Sequence, residues 1–67
     1  MAQLNEILAN NIKKFRGKES QRSFAKRMSI NQATLVRIEQ GRENITLTTI
    51  QKLVDNLHCT IAKLFKS

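Results

Sequence analysis

The chain has 67 residues and a formal net charge of +7, with 12 lysines and arginines against five acidic residues. A chain this short buries only a small core, so we expect residues 1–67 to form one domain that gains stability by association. No apolar run approaches the roughly 20 residues of a membrane span, and no signal-peptide pattern is present, so we expect a cytoplasmic protein without a membrane partner.

The sequence holds one histidine and one cysteine, His58 and Cys59. A lone cysteine cannot form an internal disulfide, and this pair lacks the further ligands of a metal site. The chain also lacks a glycine-rich phosphate loop and a carboxylate pair on one helix face. We therefore expect no metal, no cofactor and no enzymatic activity.

The first predicted element is a helix from about Gln3 to Arg16. Gly17 supplies its C-terminal stop. One continuous apolar stripe runs along it, formed by Leu4, Ile7, Leu8, Ile12 and Phe15.

A second, shorter helix is predicted after Ser20, which caps it. Phe24, Ala25 and Met28 are three and four residues apart, so they form an apolar stripe on one face of a helix of about two turns. The small side chain of Ala25 suits a close contact between two helices that cross steeply.

A third helix follows the break at Met28-Ser29-Ile30. Asn31 is its predicted N-cap and Gly41 its end, while Leu35 and Ile38 recur at the helical interval that seats them on the second helix. Two short helices joined by so short a break have the spacing of a helix-turn-helix.

Two further helices are predicted in the C-terminal third, capped by Thr46 and Thr60. The first carries the stripe Leu47, Ile50, Leu53, Val54 and Leu57, and the second carries Ile61, Leu64 and Phe65. No stretch alternates with period two. The predicted fold is therefore all-α, with five helices around one core.

The positive charge is concentrated in the middle of the chain. Residues 13–42 hold nine basic residues against Glu19 and Glu39, a net of +7, while the remainder has three of each sign and sums to zero. Such a concentration predicts a surface for a polyanion, with a phosphate backbone as the natural partner. A membrane surface would need an exposed apolar helix face, whereas these apolar stripes are needed for the core.

Four segments in this order and spacing carry a family resemblance: SQRSFAKRM at 20–28, TLVRIEQG at 34–41, LTTI at 47–50, and LHCTI at 57–61 leading into Leu64 and Phe65. Over about residues 8–65 the chain resembles the phage repressor and Cro-type (XRE-like) helix-turn-helix family. The resemblance implies a five-helix, lambda-repressor-like domain whose helices 2 and 3 form the helix-turn-helix. It also implies sequence-specific binding of double-stranded DNA, in the cytoplasm and at the nucleoid.

The resemblance also implies roles for individual residues. The positions that read bases correspond to Gln32, Ala33, Thr34, Val36 and Arg37. Those that hold the phosphate backbone are Ser20, Gln21, Arg22, Lys26, Asn31, Arg42 and Asn44. An ion pair between Arg16 and Glu39 is implied as well.

The chemistry of these side chains fits the assignment. The Gln32 amide presents a donor and an acceptor that match adenine N6 and N7, and Ala33 and Val36 can touch a thymine methyl. Arg37 can pair with guanine O6 and N7 or bind phosphate instead. Any single phosphate-binding candidate, such as Arg22, could equally be a solvated side chain.

The family usually has glycine in the turn where this chain has Ser29, and glycine is also common at the position of His58. We therefore expect Ser29 to adopt the left-handed conformation that residues with a Cβ seldom adopt.

A single recognition helix spans few base pairs, so we expect a homodimer, acting as a repressor on a palindromic operator. The predicted interface is Ile61, Leu64 and Phe65. Two alternatives remain: Leu64 and Phe65 could close the core of one chain, or the stripe of Leu4, Ile7 and Leu8 could form the interface. An alternative function is an antitoxin or small regulator that binds a partner protein as well as DNA.

Overall fold

Five α-helices follow one another in the predicted order. The computed structural model describes residues 4–42 and 45–66, and this part of the chain contains no strand. The helices are α1 Leu4–Arg16, α2 Gln21–Arg27, α3 Gln32–Glu39, α4 Leu47–Leu57 and α5 Ile61–Leu64. The all-α prediction is confirmed, and α1 ends at the predicted residue.

Side-chain caps start the last four helices. Ser20, Asn31, Thr46 and Thr60 each have extended backbone angles and accept a hydrogen bond from the backbone N–H three residues later. The shortest, 2.7 Å, joins Asn31 Oδ1 to the N–H of Thr34. Each cap satisfies a donor without a partner inside the helix and stabilises its helix by about 1 kcal/mol, so all four predicted helix starts are confirmed.

One apolar core joins the five helices. α3 packs against both α1 and α2, and α5 packs against α1. Ala25 lies buried in α2, as its small size predicted. The other buried apolar members of the core are Leu8, Ile12, Phe24, Met28, Leu35, Ile38, Leu53 and Leu64.

Two leucines predicted in the apolar stripes are exposed instead. Leu47 keeps 82% of its surface accessible and Leu4 keeps 65%. Leu47 is the first residue of α4, and Leu4 is the first residue that the structure describes in α1. A helical side chain leans toward the N-terminus and covers the turn before its own Cα, so the Leu47 side chain extends past the start of α4 and away from the packed face.

The predicted dimer interface needs correction at Leu64. This side chain is fully buried in the core of one chain, because α5 packs its inner face against α1, so Leu64 cannot contact a second copy. Phe65 is half-buried and packs against the same core. Ile61 is 55% exposed. Leu8, of the alternative N-terminal surface, is buried too.

The turn between α2 and α3 has the left-handed residue that was expected. Ser29 has φ 61°, and the N–H of Ile30 reaches back to the carbonyl of Ala25 at 3.0 Å, which closes the end of α2. The Asn56 side chain of α4 donates to the carbonyl of Met28 at 3.1 Å and secures the turn. His58 repeats the left-handed geometry at the end of α4, with φ 54°.

A buried carboxylate connects the first three helices. Glu39 is 6% exposed and accepts from Arg16 Nε at 2.7 Å and from Arg16 Nη2 at 3.1 Å, so the implied ion pair is present. Gln21 Nε2 also donates to Glu39, at 3.0 Å. The hydrogen bond to Glu39 raises the pKa of Arg16 above its ordinary value. The last turn of α1 and the first residue of α2 are thus both fixed to the end of α3.

Replacing Ser29 with glycine should stabilise the protein. Glycine removes the Cβ penalty at φ 61°, while the added freedom of the unfolded chain offsets part of the gain, so we expect an increase of a few tenths to about 1 kcal/mol in the free energy of unfolding. His58→Gly should act in the same direction. Lys52→Gly, in the exposed interior of α4, is the control and should destabilise by about 1 kcal/mol. Urea unfolding midpoints measure all three, and a loss of stability in Ser29→Gly would contradict the argument.

Replacing Glu39 with methionine should destabilise the protein by about 1–3 kcal/mol, because the partly buried donors of Arg16 and Gln21 lose their charged acceptor. Glu19→Met is the matched control, since Glu19 also accepts from an arginine but lies nearer the surface. Its effect should be clearly smaller. Equal shifts in the urea midpoints of the two variants would show that the Glu39 cluster contributes no more than a surface pair.

Candidate nucleic-acid interface

The outward side of α3 carries the residues predicted to read bases. Gln32, Ala33 and Arg37 are exposed, and Thr34 and Val36 are half-buried. The opposite side of α3 is fixed in the core by Leu35 and Ile38. Residues three and four apart are neighbours on a helix, so the five candidates form one continuous surface that the core holds rigidly.

Three candidate phosphate-binding residues keep donors available. A phosphate oxygen only accepts hydrogen bonds, so a side chain that holds it must donate. Ser20 and Asn31 use their oxygens as helix caps, which leaves the hydroxyl hydrogen of Ser20 and the amide nitrogen of Asn31 able to donate. Gln21 gives one amide hydrogen to Glu39 and has a second. The interactions that fix these side chains therefore also leave donors for an anion.

Exposed cations accompany these donors. Arg22 and Lys26 lie exposed on α2, and Arg42 lies exposed immediately after α3. Gly41, with φ 72°, turns the chain there, and the N–H of Arg42 bonds back to the carbonyl of Arg37 at 3.0 Å. The structure thus places cations on α2 and at the end of α3. Asn44, the remaining candidate, lies outside the described residues.

Arg27 of α2 belongs to a polar cluster that the sequence analysis did not predict. Arg27 Nη2 lies 2.8 Å from Glu19 Oε1, and the Arg27 guanidinium stacks over the Phe24 ring at 5.2 Å. Ser23 Oγ donates to the other Glu19 oxygen at 2.8 Å. The hydrogen bonds from Arg27 and Ser23 lower the pKa of Glu19. Glu19 and Arg27 are eight residues apart and Glu19 lies before the start of α2, so helical periodicity could not predict their ion pair.

Three further observations concern metal ligands, membrane-spanning helices and the single cysteine. Within 4–42 and 45–66, no group of histidine, cysteine and acidic side chains is placed to hold a metal ion. None of the helices in those ranges is both long and apolar enough to cross a membrane. Burial raises the pKa of the half-buried Cys59 thiol, which disfavours the reactive thiolate.

Comparison with solved structures finds the same fold in bacterial transcription factors. A hypothetical transcription factor, NHTF from Neisseria, superposes with a TM-score of 0.82 at 28% identity, over 94% of this chain and 75% of that one. An HTH_3 family transcriptional regulator from Vibrio cholerae gives 0.80 at 25% identity, over 92% of this chain and 36% of that one. No curated protein matches the chain significantly.

The family comparison agrees with the geometry. The helix-turn-helix family model HTH_3 matches residues 12–64, which include α2, α3, α4, α5 and the end of α1. The expected resemblance is thereby confirmed over most of the chain. The chain belongs to the HTH_3 helix-turn-helix family.

Proposed function

We propose that this protein is a sequence-specific transcriptional repressor that binds a palindromic DNA operator as a homodimer. Family membership supports the general function, DNA-binding transcription regulation. The observation that carries the specific proposal is the rigid outward surface of α3, with Gln32 and Arg37 exposed and the opposite side of the helix buried. Such a helix fits the major groove of B-form DNA.

Base reading would be divided between polar and apolar side chains. Gln32, at the first position of α3, can bond adenine through both atoms of its amide, and Arg37 can pair with guanine or with phosphate. Ala33 and Val36 between them can contact thymine methyl groups. Each good bidentate pair contributes about 1–3 kcal/mol of discrimination.

Backbone contacts would hold the recognition helix in register without reading sequence. The donors of Ser20, Gln21 and Asn31 lie at the starts of α2 and α3, and Arg22, Lys26 and Arg42 add positive charge. Each phosphate neutralised releases counterions, which makes binding salt-dependent. The excess of basic residues over residues 13–42 contributes to this attraction.

A two-fold dimer would place two recognition helices about 34 Å apart, one turn of the duplex. Ile61 is the large exposed apolar residue of α5, and the exposed part of Phe65 lies in the same C-terminal stretch. A self-complementary patch there would leave α2 and α3 open to DNA. We therefore propose α5 as the interface, now centred on Ile61.

The DNA-binding proposal is tested on a duplex selected by the protein from a random pool, with a scrambled duplex beside it. Gln32→Ala should lose about 1–3 kcal/mol on the selected site and little on the scrambled one. Arg42→Ala should weaken both duplexes alike and reduce the slope of log K against log salt by about 1. Selection that yields no preferred sequence would refute sequence-specific recognition, and equal losses for Gln32→Ala on both duplexes would displace Gln32 as a reading residue.

The dimer is tested with an exposed residue, since a change at half-buried Phe65 would also disturb the core. Ile61→Lys should shift sedimentation equilibrium toward monomer and weaken operator binding, with helical content unchanged by circular dichroism. Leu47→Lys is the matched control, because Leu47 is equally apolar and even more exposed but lies at the start of α4. A folded Ile61→Lys variant that remains dimeric would move the interface away from α5.

A further inference from the structure

A cleft with a mainly apolar floor lies between α1 and α5. Its volume is about 440 Å³, and its lining is Asn11, Lys14, Phe15, Lys63 and Lys66. Small-molecule sites in proteins have volumes of about 300–1,000 Å³ and combine apolar walls with a few polar groups. The cleft has both properties.

All charged residues that the structure describes in the lining of the cleft are positive. Lys14 comes from α1, Lys63 from α5 and Lys66 from the segment after α5, and all three are exposed. The described residues of the lining include no carboxylate, and the two ion pairs identified between described residues involve arginines elsewhere. Three lysines, one from α1 and two from the C-terminal segment, thus line one concavity without a carboxylate among its described residues, which favours an anionic occupant.

Two hydrogen bonds from the Asn11 side chain connect the two sides of the cleft. Asn11 Nδ2 donates to the carbonyl of Leu64 at 2.6 Å and to that of Lys66 at 2.9 Å. These two bonds fix the end of α5 against α1. The Phe15 side chain is half-buried against the core and supplies the aromatic part of the lining. The cleft is therefore built by long-range contacts rather than by two loose surfaces.

The cleft faces away from the recognition helix. Arg16 marks the side of α1 that meets α3, and Asn11 marks the side that meets α5. At about 100° per residue, these positions lie about 140° apart around α1, and Lys14 lies about 160° from Arg16. A DNA phosphate held at the starts of α2 and α3 would not enter this cleft.

We infer that the cleft between α1 and α5 binds a small organic anion with a flat apolar body, such as an aryl phosphate. The apolar body lies on Phe15, and the anionic oxygens meet the ammonium groups of Lys14, Lys63 and Lys66. This site is separate from the proposed DNA surface, so the protein can hold the small anion and DNA at the same time.

The test titrates 1-naphthyl phosphate into the full ¹⁵N-labelled chain and follows the amide resonances. We expect saturable shifts centred on Phe15, Lys63 and Lys66 that persist when a DNA duplex is bound. Inorganic phosphate should bind more weakly, since it lacks the apolar body. Lys14→Gln and Lys63→Gln should each weaken naphthyl phosphate about two- to fivefold. Lys52→Gln, an exposed lysine on α4, is the matched control and should leave the affinity unchanged.

Three results would overturn the inference. Shifts centred on Ser20 and Asn31 and abolished by a DNA duplex would place the anion on the DNA surface. Shifts that fail to saturate would show diffuse attraction to a basic protein. Equal weakening by Lys14→Gln and Lys52→Gln would show that net charge, and not the cleft, determines binding. Circular dichroism checks that each variant is folded. Because the substituted residues are exposed, we expect the fold to remain intact.

Discussion

The arrangement of the helix-turn-helix depends on the hydrogen bonds that the buried carboxylate of Glu39 accepts from Arg16 and Gln21. A carboxylate removed from water destabilises a protein unless charge and hydrogen bonds compensate it, and here Arg16 and Gln21 together supply three donors. These donors come from α1 and α2, while the acceptor belongs to the last turn of α3. The polar cluster therefore specifies the relative positions of three helices that apolar packing alone would leave freer to slide.

This arrangement connects the fold to the proposed recognition of DNA. Gln21 lies at the first position of α2 and is held by Glu39 of α3, the proposed recognition helix. A shift of α3 would therefore move a candidate phosphate donor together with the candidate base-reading side chains. The helix caps act in the same sense, because Ser20 and Asn31 fix the starts of both helices while keeping a donor for an anion. The residues that stabilise the starts of α2 and α3 are thus also the candidates for fixing the position of these helices on DNA.

Local features of the fold could be predicted from the sequence, because caps and apolar periodicity depend on residues only a few positions apart. The four predicted caps and the left-handed Ser29 are examples. Burial was harder to predict: Leu47 has the right period but is exposed, and Leu64 is buried where an interface was expected. Contacts such as Asn11 with Leu64, 53 positions apart, follow no period. The base-reading residues came from family resemblance and remain predictions.

The small size of α5 has a consequence for the order in which the molecule assembles. An isolated helix of four residues does not persist in water, because the cost of nucleation is not recovered over so few hydrogen bonds. α5 therefore exists only while Thr60 caps it, Leu64 fills the core and Asn11 holds its end. It should be among the first elements to open in local unfolding, with fast exchange of its amide hydrogens. In the proposed dimer, each partner would stabilise the other's α5, so subunit association and completion of the fold would be a single equilibrium that varies with protein concentration.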